Sequence, residues 1–240
     1  IIWKYAHPDS LYGHPQYLNI LEADRRRVEA DLLFVTDTLV RTSAMAALAG
    51  AVAAVNAGFF DVKAGGSVTL MKVRGELINR TRPNHLEAKS EILRGAIIID
   101  KRGRLQVAAA GPDEQYLSRR YHTVLLTGPL LLSAGAPIAL AERAFNDNRH
   151  PRTCACITED ERVLFLTVDG RTAESHGMAL PELRMLLQSL GCRDAVNLDG
   201  GGSTTMWVQG RVVNMPCDNK RFDHEGERPV ANALILRAKP

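Results

Sequence analysis

The sequence predicts an α+β (mixed α/β) fold: a large mixed β-sheet with flanking helices, built as a single domain over residues 1–240. Three observations carry that prediction. Apolar runs of strand length are punctuated by glycine turns, one segment has the apolar stripe of an amphipathic helix, and a strand–helix–strand unit has the composition of a βαβ crossover. A chain of this length lies within the range of one mixed or β-rich domain.

The elements follow in order. LNILEADRRRVEADLLFV reads as strand, charged turn, strand, with its three arginines a solvated face. TSAMAALAGAVAAV is alanine-rich with a serine near its start, which predicts a helix over Ser43–Ala51 running into a strand end at VNAGFFD. GAIIIDKRGRLQVAAA is a hairpin turned at its glycine, and TVLLTGPLLLSAGAPIAL repeats that grammar around Gly-Pro and Ala-Gly-Ala-Pro. In ALPELRMLLQSLGC, Leu183, Leu186, Leu187 and Leu190 form the stripe, Pro181 suits the first turn and Gly191 the C-terminal cap. STTMWVQGRVVNM turns at Gln-Gly, and VANALILR is a last strand. The unit VLFLTVDG, helix, AVNLDGG sets Asp169 and Asp199 after the ends of its two strands, which predicts both carboxylates at one sheet edge, where clefts form.

Composition excludes several classes. A net charge of +3 is too small to indicate a nucleic-acid partner, and no apolar run has the length of a membrane span. The chain begins IIWK without methionine, so removal of an N-terminal segment is expected, and with it a secreted, periplasmic or cell-surface location. Cys154, Cys156, Cys192 and Cys217 lack zinc-site spacing. The C-x-C of RTCACI is expected to send its sulfurs to opposite strand faces. Buried free thiols are the expectation, with a Cys192–Cys217 disulfide as the alternative. No HxH or HExxH supports a metal, so no cofactor is expected, a structural ion being left open.

NLDGGGSTTM, with three consecutive glycines after a strand, is neither a Walker loop nor a GxGxxG fingerprint. On spacing alone it is a turn. VNAGFFD, TGPLLL, HPRT, VDGR, NLDGGGSTTM and GERPVANA, in that order, resemble the phosphodiester glycosidase family, and the match runs from about Val55 to Leu236. Residues 1–54, the N-terminal strands and helix, lie outside the strongest motif match.

The resemblance implies hydrolysis of a sugar joined through its anomeric carbon to a phosphodiester, on an envelope or host glycan. A phosphate monoester leaves without strong protonation, so one carboxylate could suffice as nucleophile or base where ordinary glycosidases need two. Asp199 is the first candidate and Asp169 the second, though an aspartate beside glycine is also a common turn residue. Arg152, Arg171 and Arg228 are candidates for the phosphate, with Thr153 beside the first; each could instead be an ordinary solvated side chain. Asn56 and Asn197 could bind sugar hydroxyls or tie loops, Phe59 could stack on a sugar or enter the core, and Gly58 and Gly128 would let backbone approach. Gly200, Gly201 and Gly202 would offer N–H groups and Ser203 a hydroxyl. Glu182, His176 and Glu227 form a second tier: Glu182 as a first-turn acid or a site residue, His176 as a proton carrier, Glu227 as half of a buried ion pair with Arg228. Two other readings remain open, a phosphoglycan-binding module without turnover and a phosphodiesterase cleaving P–O.

Overall fold

The computed structural model describes residues 1–82 and 92–239. The first half of the chain forms β1 (Ile2–Ala6), β2 (Leu18–Asp24), β3 (Val28–Phe34), α1 (Thr42–Leu48), β4 (Ala53–Asn56), β5 (Met71–Val73), β6 (Glu76–Asn79), β7 (Gly95–Ile99) and β8 (Leu105–Ala109). The second half continues with β9 (Thr123–Thr127), β10 (Leu130–Ser133), β11 (Ala136–Pro137), α2 (Ala144–Asp147), β12 (Arg152–Thr158), β13 (Arg162–Val168) and α3 (Leu180–Ser189). It closes with β14 (Cys192–Asn197), β15 (Met206–Val208), β16 (Arg211–Val212) and β17 (Asn232–Ala238).

The α+β class holds, but the single large mixed sheet is replaced by three sheets. One has seven strands in the order β1-β2-β13-β12-β14-β10-β11; the five-stranded pair run β16-β15-β4-β17-β3 and β6-β5-β9-β7-β8. Among the described residues, the ladders between these strands are antiparallel. The expected crossover is present in split form. β13 and β14 each pair antiparallel with β12 between them, so the two run parallel to one another while α3 carries the chain across. Their ends therefore fall on one side of the sheet, and Asp169 and Asp199 leave from that side.

The core explains the strand composition. β12 is buried along its whole length and β13 along nearly all of it, because both faces of the seven-stranded sheet are covered. Ala155, Ile157, Val163 and Phe165 face the central core shared with the two five-stranded sheets. Cys154, Cys156, Leu164 and Leu166 face Leu180, Leu183 and Leu187 of α3. The helical stripe thus lands where its spacing predicts. The Ser43–Ala51 helix is observed one residue earlier and stops at Leu48, since Gly50 takes a left-handed φ of 62° that ends the turn. β2 and β3 form the expected strand, turn, strand but enter different sheets.

Two cysteine expectations are corrected. Cys154 and Cys156 share one strand face, as residues two apart must, rather than facing opposite ways. Cys156 is bonded to Cys192, not left free, while Cys154 and Cys217 are buried thiols. The bridge joins β12 to the start of β14 across 36 residues of sequence. Closing a loop of that length stabilises by about 4 kcal/mol in the chain-entropy account. A Cys156→Ala/Cys192→Ala chain should lose about that much in denaturant unfolding; an unchanged midpoint would show that the bridge does not form.

Candidate active site

The site is built around the loop from Leu198 to Thr205, between β14 and β15. Its glycines have different reasons. Gly201 sits at φ 62°, and a Cβ there would lie 3.0 Å from the Arg171 guanidinium, so the arginine rests on bare backbone. Gly200 packs so closely on the Pro151 carbonyl that a Cβ would stand 2.6 Å from its oxygen. Gly202 lies against the Arg228–Asp218 pair. Two of the three expected cradle N–H groups are already engaged within the chain: Gly200 N–H donates to Asp199 Oδ1 (3.0 Å) and Gly201 N–H to the Pro151 carbonyl (2.9 Å).

Asn56, at the end of β4, ties the loop to the sheets. Its Nδ2 donates to the Asp199 carbonyl (2.6 Å), and its Oδ1 accepts from Thr153 Oγ1 (2.7 Å) and the Thr205 N–H (3.1 Å). Both Asn56 and Thr153 are buried, which makes them supports of the loop rather than exposed ligands of a sugar. Asn197 is buried likewise, its Nδ2 donating to the Gly128 and Leu198 carbonyls. Removing the Asn56 side chain would leave a buried N–H and carbonyl unsatisfied at a cost of about 1–3 kcal/mol. Asn56→Ala should show that loss in urea unfolding, and a wild-type midpoint would remove Asn56 from this supporting role.

The two carboxylates differ in surroundings. Asp199 is half-buried at the mouth of the loop, anchored by its N–H to the Ala57 carbonyl (2.8 Å). Asp169 is buried, Oδ1 accepting from Asn214 Nδ2 (2.8 Å) and Oδ2 from the Met215 N–H (2.9 Å). Burial pushes its carboxyl up to about 7, against the opposing pull of those two donors. Asn214 Nδ2 also donates to the Thr204 carbonyl (3.0 Å), so Asp169 and the glycine loop are joined through one amide.

The arginines also divide. Arg152 is buried, with Nε donating to the Met178 carbonyl and Nη2 to those of Phe145 and Asn148, its guanidinium over the Phe145 ring. Burial lowers it to about 10. That fork is a structural clamp, which corrects the expectation of a phosphate ligand. Arg228 donates from Nε (2.9 Å) and Nη2 (2.5 Å) to Asp218. Arg171 is exposed at φ 67°, with its guanidinium over Gly201. A cavity of about 620 Å³ opens between Asp218 and Arg228 on one side and Thr38, Lys63 and Gly65 on the other.

The second-tier residues are mostly structural. Glu182 caps α3 by accepting the Ala179 N–H (3.1 Å) and pairs with Arg149. Glu227 accepts from the Ser43 N–H (2.8 Å) and Oγ (2.5 Å) at the start of α1, so its partner is a serine, not Arg228. His176 is exposed, its Nδ1 2.9 Å from that of His14. Phe59 packs edge-on against Phe145, and Gly58 N–H donates to Asn232 Oδ1 (2.6 Å). Behind the loop, Ser203 Oγ, Thr204 Oγ1, Thr205 Oγ1, Asn197 Oδ1 and Asn232 Nδ2 are buried with no protein partner. Such a concentration of buried unsatisfied polar atoms marks a place for internal water. Sequence reasoning missed Asn214 and Asp218, which lie in no family-matching motif, and Asn232, which lies in GERPVANA but was not singled out there. Among the described residues, no group of three or more His, Cys, Asp and Glu is set to hold a metal, and no helix is long and apolar enough to cross a membrane.

Comparison with known proteins bears on the fold and the family. The catalytic domain of zebrafish N-acetylglucosamine-1-phosphodiester alpha-N-acetylglucosaminidase, auto-inhibited by its pro-peptide, has the same fold. Its TM-score is 0.76 at 18% identity, over 99% of this chain and 83% of that one. A hypothetical protein from Synechocystis matches with TM-score 0.72 at 14% identity, over 99% of this chain and 62% of its own. In sequence, the SPbeta prophage-derived uncharacterized protein YomE of Bacillus subtilis (strain 168) is 38% identical over 88 residues. That segment is 37% of this chain and only 13% of the prophage protein's length. The family model described as phosphodiester glycosidase matches residues 49–237, most of the chain, and the chain belongs to the phosphodiester glycosidase family.

Proposed function

We propose that the chain hydrolyses a sugar 1-phosphodiester, cleaving the bond between the anomeric carbon and the phosphate oxygen. The observation that carries this reading is that half-buried Asp199 lies on the same loop as Gly201, over which the exposed Arg171 guanidinium rests. In the reaction the C1–O bond breaks, its electron pair goes to the phosphate oxygen, and water supplies the new C1 hydroxyl. Asp199 acts at C1 as nucleophile or as base toward water, and Arg171 neutralises the phosphate as charge develops on it. Asp169 takes a positioning role, since both its oxygens are engaged.

An envelope or host glycan is the proposed substrate source. The Cys156–Cys192 disulfide supports that setting, because such bonds persist outside reducing compartments. Hydrolysis in ¹⁸O-labelled water is the test: label in the released sugar at C1 agrees with the proposal. Label in the phosphate would instead assign P–O cleavage, and tight binding without product would assign a binding module. The engagement of Arg152 and Asp169 in structural bonds favours that last alternative over the P–O one.

A further inference from the structure

A second surface adjoins this site. In a chain with only two tryptophans and five tyrosines, Trp3, Tyr5 and Tyr17 gather with His7 and Phe222 on one face of the edge strand β1 and its neighbour. The centroids of Trp3 and Tyr5 are 6.0 Å apart and those of Tyr5 and Tyr17 6.1 Å, with near-parallel planes. Phe222 meets Tyr17 edge-on at 5.5 Å, and His7 lies 5.2 Å from Tyr17. Trp3 closes one end, its indole N–H bonded to Asn19 Oδ1 (3.1 Å) and its ring under the Arg211 guanidinium. Tyr5 is 62% exposed, an unusual position for so large a ring between two others.

The other end runs into the candidate site. The Tyr17 carbonyl accepts the Asp169 N–H (2.9 Å), and its N–H donates to Ser175 Oγ (2.9 Å), which itself donates to the Asp169 carbonyl (2.7 Å). His7 Nε2 lies 3.1 Å from the Glu174 carbonyl, on the segment that follows Arg171. Phe222 belongs to the same loop as Asp218, whose pair with Arg228 covers Gly202. The row of rings is therefore joined by hydrogen bonds to Asp169 and to the segment that follows Arg171, and by its own loop to Asp218.

We propose that Tyr5, His7, Tyr17 and Phe222, buttressed by Trp3, form a saccharide-binding track for the part of the glycan substrate remote from the scissile bond. Sugar rings have apolar C–H faces edged by hydroxyls. Tyrosine and histidine rings answer both needs, offering an apolar face and a polar tip. The track rests on the sugar phosphodiester reading of the neighbouring site, and it commits that reading to an oligosaccharide rather than a single sugar phosphate.

The test uses the full chain carrying Asp199→Asn, so that a bound glycan is not turned over. The probe is an array of linear oligosaccharides of two to six sugars, with and without phosphodiester linkages. The Asp199→Asn chain is expected to bind the longer members. Adding Tyr5→Ala should weaken that binding about fivefold to tenfold, and adding Tyr5→Phe in its place should largely retain it. Tyr5 is exposed, so its truncation leaves the core intact, and an unchanged unfolding midpoint verifies this. Absence of binding to any array member, or equal binding with Tyr5→Ala, overturns the track. So does concentration-dependent dimerisation that Tyr5→Ala abolishes, which would assign the rings to a second copy of the chain. Failure of the catalytic reading shows separately, as wild-type chain that binds these glycans yet releases no sugar from a sugar 1-phosphodiester.

Discussion

Asp199→Asn should reduce release of free sugar from a sugar 1-phosphodiester by about 10²–10⁴-fold, the range associated with loss of a positioned acid–base group. In free energy that is about 3–5 kcal/mol of transition-state stabilisation. The substitution is nearly isosteric, and the backbone anchors of the loop remain: Asp199 N–H to Ala57, and the Asp199 carbonyl under Asn56 Nδ2. The loop should keep its shape while losing the negative charge, so the loss is expected in kcat more than in KM. Side-by-side kinetics of the two chains, with unfolding midpoints as control, measure it. Undiminished kcat would remove Asp199 from the chemistry and turn attention to groups across the cavity beside Arg228.

The second large effect concerns Asp169 and stability. Its carboxyl is held at about 7 in the folded chain, chiefly by burial, against an ordinary value of 3.8. Between those values the folded protein keeps a proton that the unfolded chain has released. Stability from this group is therefore present below about pH 4, falls as pH rises through the interval, and levels off above about pH 7. The span corresponds to roughly 4 kcal/mol. Asp61, lowered to about 2 by two backbone N–H donors and Arg82, works in the opposite sense at acid pH, so the contribution must be read as a difference. The gap between wild type and Asp169→Asn should change across pH 4–7. The variant itself should carry a pH-independent cost of about 1–3 kcal/mol, because an amide cannot offer two acceptors to Asn214 and the Met215 N–H. A gap that stays constant with pH would mean that those donors keep the buried group ionised throughout.

Legibility from sequence followed the range of the interaction. The α3 stripe, its Pro181 start and its Gly191 stop are local, and all three are observed. The hairpins at Gly103 and at Gln209–Gly210 are local in the same way. Sheet membership is not: β2 and β3 are joined by a short turn yet pair with β13 and β17 far along the chain. The disulfide was missed for the same reason, since spacing along the chain does not report which strands become neighbours. At the site, the motifs named the right loops but not the roles. Arg152 and Arg171 sit in comparable arginine-containing motifs, and only packing makes one a clamp on three carbonyls and leaves the other at the surface.

By itself the sequence determined the α+β class, the family, and the loop NLDGGGSTTM with its aspartate, because periodicity, turn chemistry and motif order are properties of short stretches. Only the tertiary structure separates the surroundings of two aspartates that look alike in sequence. Burial and two N–H donors make Asp169 a holder of the loop through Asn214, whereas Asp199 is half-buried on the loop whose Gly201 lies under the Arg171 guanidinium. Solvation and hydrogen-bond partners set what a carboxylate does, and both come from segments that meet only when the three sheets close around their shared core.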